Sequence, residues 1–152
     1  MRKLLLLPLV LWACSSSKEA PAPAAAAASA ALTAAEVVGS YAGTTMANGT
    51  DSVLSTWTSI ATADSAGALS GKLMDAKAPT DSVAFTGVLS ADSVVWSSAP
   101  FMPAGAPAGS PQMKWIAVGR AAGNAWTGTA VTMIAATDSV VQNSHWTATR
   151  TP

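Results

Sequence analysis

From Val38 to the end of the chain, large apolar residues tend to recur at alternate positions, and clusters of Gly, Asn, Asp, Ser and Pro interrupt them. Alternation is the period of a half-buried strand, and such clusters are where a chain turns. The pattern predicts eight strands: Val38–Met46, Ser52–Ala63, Gly67–Met74, Ser82–Leu89, Ser93–Ser98, Met113–Arg120, Asn124–Ala135 and Ser139–Arg150. Most connections are short, so neighbours are expected to pair antiparallel, and Asn48-Gly49 suits a tight primed hairpin. The exception is Ala99–Gln112, rich in Pro, Gly and Ala. Long irregular segments in a compact domain are often functional. Ahead of the first strand, Thr33-Ala34-Ala35-Glu36 has capping-box spacing, but Gly39 follows too soon for more than about one helical turn.

Asp-Ser-Val occurs four times, beginning at Asp51, Asp81, Asp92 and Asp138. An Asp that bonds its own backbone closes a turn, and Ser-Val then begins the next strand. Residues an even number apart share a strand face. Val53 with Trp57, Val83 with Phe85, Val94 with Trp96, and Val140 with Trp146 are therefore expected to point together into the core. A second motif places Gly two residues after a large apolar one, in Tyr41-Ala-Gly43, Leu69-Ser-Gly71, Phe85-Thr-Gly87 and Trp126-Thr-Gly128. Glycine there leaves room for a neighbouring ring and lets a strand coil sharply. The fold expected is all-β, an eight-stranded antiparallel up-and-down meander closed into a small barrel. A two-sheet β-sandwich satisfies the same alternation.

Several phrases resemble the calycin group of lipocalins and avidins. Gly39-Ser40-Tyr41 is similar to the Gly-x-Trp of a lipocalin first strand, and Arg150 stands where lipocalins place an Arg across that ring. Gly67–Gly71 and Trp126-Thr127-Gly128 are similar to avidin strand phrases. Gly43 occupies the place where the avidin pattern wants a polar ligand residue, so biotin binding does not carry over. The resemblance implies a calyx for a small hydrophobic ligand, with Tyr41, Trp57, Phe85, Trp96, Trp126 and Trp146 as ligand-binding candidates and Ala99–Gln112 as a lid. The same rings, with Trp115, would equally serve a solid core.

The N-terminus reads as an export signal: Met1-Arg2-Lys3, then an apolar Leu4–Trp12 too short to span a bilayer. Leu11-Trp12-Ala13-Cys14 resembles the lipobox of bacterial lipoproteins. That resemblance implies cleavage after Ala13 and acylation of Cys14, the only cysteine, to give a membrane anchor. The expected organisation is a lipoprotein signal peptide at 1–13, a lipidated Cys and Ala/Pro/Ser-rich linker at 14–35, and the barrel domain at 36–152. The expected location is the cell envelope. In a Gram-negative host, Ser15 after the cysteine resembles the outer-membrane sorting pattern, with the domain facing the periplasm or the cell surface.

Charged residues make up only 11% of the chain, and no basic stripe exists, so no nucleic-acid partner is expected. Removing Arg2 and Lys3 with the signal leaves six basic residues against eight acidic ones, so basic attraction to lipid is not the anchor. His145 is the single histidine, no Gly-x-Ser-x-Gly stretch occurs, and zinc, EF-hand and phosphate-loop motifs are missing. His145 is expected at the surface, and Asp51, Asp81 and Asp138 as solvated turn residues sharing one rim. No cofactor, metal or catalytic residue is expected. Two functions fit: a non-enzymatic, lipid-anchored binding protein, or a solid-core structural or interaction module of the envelope.

Overall fold

The computed structural model describes residues 31–152. The signal peptide, Cys14 and the linker as far as Ala30 lie outside the described residues. All eight expected strands form, as β1 Gly39–Ala47, β2 Val53–Ala63, β3 Leu69–Asp75, β4 Ser82–Ser90, β5 Ser93–Ser98, β6 Met113–Ala122, β7 Ala125–Ile134 and β8 Val140–Thr151. They pair antiparallel in chain order, and β8 returns to β1 from Ser40↔Thr151 to Ala47↔Ser144. This closed barrel excludes the sandwich.

The glycine motif explains how so small a barrel carries large rings inside. Gly43, Gly71, Gly87 and Gly128 stand directly across the ladder from Trp57, Phe85, Trp96 and Trp146. A Cβ built on any of the four would lie 2.3–2.7 Å from its ring. Each ring therefore lies across the place of the missing side chain, where a larger residue would force it away. The rings then meet edge to face, with Phe85 and Trp96 centroids 5.0 Å apart and those of Trp57 and Trp146 6.1 Å apart.

Two of the four expected Val–ring pairings hold. Val83 and Phe85 share the inner face, as do Trp96 and the fully buried Val94. Val53 and Val140 instead face solvent, 60% and 58% exposed. A β-bulge separates each from its ring. The β1–β2 register passes from Thr45↔Ser55 to Met46↔Val53, skipping Leu54, and the β7–β8 register passes from Thr132↔Gln142 to Met133↔Val140, skipping Val141. One extra residue reverses the facing of everything beyond it. Leu54 takes the inward place that alternation assigns to Val53.

The turns also differ from expectation. Around Asp51 and Asp138 the preceding threonine makes the turn bond: Thr50 Oγ1 accepts from Ser52 N, and Thr137 Oγ1 from Ser139 N. The Asp side chains that close turns are Asp64, which accepts from Ala66 N and Ala68 N, and Asp75, which accepts from Lys77 N.

A single helical turn, α1 (Ala34–Val37), precedes β1. The Glu36 carboxylate accepts from both the backbone N–H and the hydroxyl of Thr33, each at 2.7 Å. These bonds favour the charged form and hold its pKa below the ordinary value. Leu32 N donates to Ala91 O, so the packed unit already includes Leu32. Val37, 1% exposed, plugs this end of the barrel.

Candidate functional site: a ring-lined cavity open at one rim

In an eight-strand meander the start of β1, the end of β8 and the even-to-odd turns share one rim. That rim is the floor. Its closure depends on Arg150, whose Nη2 donates to the carbonyls of Glu36 and Val38, both at 2.7 Å, and to Tyr41 Oη at 3.1 Å. The guanidinium carbon is 5.6 Å from the Tyr41 ring centroid, and the Tyr41 hydroxyl donates to Val37 O at 2.8 Å. One cation thus joins the end of the last strand, the first ring and the helical plug. Gly39 permits this approach: its φ is +152°, and a Cβ there would meet Arg150 Nε at 3.1 Å.

Above the floor lies a cavity of about 360 Å³. This is within the range usual for small-molecule sites, about 300–1,000 Å³. Tyr41, Trp57, Phe85, Trp96, Trp126 and Trp146 all line it. The barrel brings together every ring singled out in the sequence, on six different strands. Two indoles are tied down, with Trp57 Nε1 donating to Thr45 Oγ1 and Trp146 Nε1 to Thr129 O. Small inward residues such as Ala61, Ala117, Ala130 and Ala148 leave the space open.

The lining changes with depth. Val37, Tyr41, Ala61, Trp126 and Ala148 surround the floor, whereas Thr45, Ser55, Asp75, Asp81, Thr132 and Gln142 belong to the opposite, open end. Ser59, 8% exposed, faces the interior at mid-depth. The polar lining groups thus gather mainly towards the mouth, among apolar residues such as Leu54 and Val83.

The long β5–β6 connection crosses this mouth. Phe101 and Met113 exchange both backbone hydrogen bonds at 2.8 Å, which pins its first part. Two turns follow in tandem, Pro103-Ala-Gly-Ala and Pro107-Ala-Gly-Ser, each closed by a backbone bond and each with its glycine at positive φ. Glycine in the third place is what such type II geometry requires. Phe101, Met102, Pro103 and Ala104 form part of the cavity wall. The segment thus occupies the place expected of a lid, but it is built and anchored.

Phe101, Ser59 and the carboxylates Asp75 and Asp81 are cavity residues missing from the sequence-derived site, whereas Trp115, singled out with the other tryptophans, lines the cavity beside them. Asp75 carried no inward signal, because an Asp ending a strand ordinarily reads as a turn residue. Asp51, Asp81 and Asp138 do share the mouth rim, but among the described residues no three His, Cys, Asp or Glu converge to hold a metal. Asp138 pairs with Lys114, and His145 is absent from the cavity lining. No protein-family model, curated protein or solved structure gives a significant match to this chain.

Proposed function

We propose that this protein is a lipid-anchored, non-enzymatic binding protein of the bacterial cell envelope, holding a small hydrophobic molecule inside a calycin-like barrel. The observation that carries the reading is the cavity itself. A barrel serving only as a scaffold gains stability by filling its interior, whereas this one keeps about 360 Å³ open beneath a structured mouth. Its walls are largely aromatic and aliphatic, and its few polar groups lie mainly towards the opening, an arrangement suited to selecting a ligand and fixing its orientation. Anchorage rests on the lipobox resemblance at Leu11–Cys14 and on the Ser/Ala/Pro spacer that follows.

Ligand occupancy places a quencher or dye against several indoles at once. Titrating the mature protein with a neutral hydrophobic dye is expected to change its tryptophan emission saturably, at one site per chain. Ala117→Trp, which narrows the cavity, should weaken the saturable binding while the barrel's circular dichroism persists. Binding of undiminished affinity in that variant would place the ligand elsewhere. For the anchor, Cys14→Ser should release the protein from the membrane fraction, and an unaltered mass and partition would exclude acylation.

A further inference from the structure

The cavity wall carries charge of one sign. Asp75, the last residue of β3, lies on the inward face directly across the ladder from Trp57. Asp81, in the next turn, joins it at the mouth. Among the described residues, no Lys, Arg or His lines the cavity. One oxygen of Asp75 accepts from Lys77 N, and the other has no partner among the described residues. Around the rim, Lys77 and Lys114 stand against Asp51, Asp75, Asp81 and Asp138, and Lys114 is already engaged by Asp138. The entrance is electronegative.

We infer that the cavity takes cationic amphiphiles, an apolar body bearing a protonated or quaternary amine, in preference to carboxylate lipids. The inference rests on the ligand-binding reading above and specifies its chemistry. An apolar body suits the ring-lined depth, so the headgroup comes to rest among Thr45, Ser55, Gln142 and the two carboxylates. An anionic headgroup there meets like charge and no counter-ion, which disfavours its entry. An ammonium headgroup meets two carboxylates there, and both attract it.

Three ligands with one alkyl chain separate the charge from the cavity: decyltrimethylammonium, decanol and decanoate, each titrated into the mature protein by calorimetry at low ionic strength. The cation is expected to bind about tenfold tighter than decanol, as befits two partly exposed carboxylates, and decanoate more weakly than decanol. Added salt should narrow the spread. Asp75→Asn with Asp81→Asn should collapse the cation-to-anion ratio, whereas Asp92→Asn, in the β4–β5 turn at the floor rim, should preserve it. Equal affinities, or decanoate binding tightest, would overturn the charge inference and leave the cavity reading standing. A ratio that persists in the double variant also overturns it. If none of the three binds, the ligand-binding reading falls and this inference with it.

Discussion

Gly43 faces Trp57 across the β1–β2 ladder, and a Cβ on that glycine would lie 2.4 Å from two atoms of the indole. Such a distance is inside van der Waals contact, so the ring must leave its place or the strands must part. Gly43→Ala and Gly87→Ala are each expected to cost about 1–3 kcal/mol, the usual range for overpacking. Thr58→Ala, on the exposed face of β2, should stay within about 0.5 kcal/mol. Urea midpoints at constant slope measure this. Equal sensitivity of glycine and threonine would mean that the rings do not depend on the missing side chains.

The four Asp-Ser-Val copies should respond differently to one substitution. Val94 is fully buried, so Val94→Ala is expected to cost about 2 kcal/mol through lost burial and a residual cavity. Val53→Ala and Val140→Ala remove exposed methyls and should change stability by no more than about 0.5 kcal/mol. A matching loss at all three positions would contradict the two bulges.

That contrast shows what was legible in the residues and what was not. Eight strands, their order and the ring-covered glycines follow from local alternation and turn chemistry, because each strand is held by its immediate neighbours in the chain. The bulges at Leu54 and Val141 escape such reading. Nothing in Ser-Val-Leu or Ser-Val-Val distinguishes a flipped residue from an alternating one until the partner strand fixes the register. Closure depends on β8 meeting β1, a contact between the ends of the domain that alternation does not encode. The six rings were legible as one face. Their empty centre was not, since it depends on how far the strands stand apart. The role of Asp75 follows from that same three-dimensional fact.

Arg150 carries the floor. Arg150→Gln keeps some hydrogen-bonding capacity but loses the charge and the geometry that reaches Glu36 O, Val38 O and Tyr41 Oη together. A loss of about 1–2 kcal/mol is expected, as for charge-assisted bonds in a partly exposed setting. The local effect should be larger than the global one: hydrogen exchange at Val38 N, bonded to Ala34 O, is expected to quicken before that of the β6–β7 ladder. Uniform acceleration across the barrel would show that Arg150 does not act through the plug.

Glu36 predicts the pH response of the same plug. Hydrogen bonds from Thr33 lower its folded pKa, so folding favours its charged form. The contribution is present above the unfolded value of about 4.3 and is lost as pH falls through the lower folded value. Side-chain NMR should show Glu36 titrating below an ordinary glutamate, and Thr33→Val should raise it only part of the way, since the hydroxyl bond goes but the larger effect, the backbone N–H bond, stays. A titration in the ordinary range in the native protein would remove the carboxylate from the cap.

The mouth should face away from the membrane. The chain enters the barrel at the floor, where Leu32 bonds to Ala91 and Val37 plugs the interior, so the acyl anchor proposed at Cys14 would tether that rim. The β5–β6 segment and the carboxylates lie at the other end. Spin labels on Ala108→Cys, in the second tandem turn, and Asn124→Cys, between β6 and β7, report the two rims, provided that Cys14 carries the proposed lipid and takes no label. On vesicles, a nonpolar relaxant dissolved in the bilayer is expected to act more strongly at position 124 than at 108. The spacer from Ser15 to Ala31 spans up to about 50 Å if extended, so both effects are small and their ratio is the informative quantity. A ratio favouring position 108 would turn the barrel over and direct its ligand to the bilayer instead of the aqueous phase.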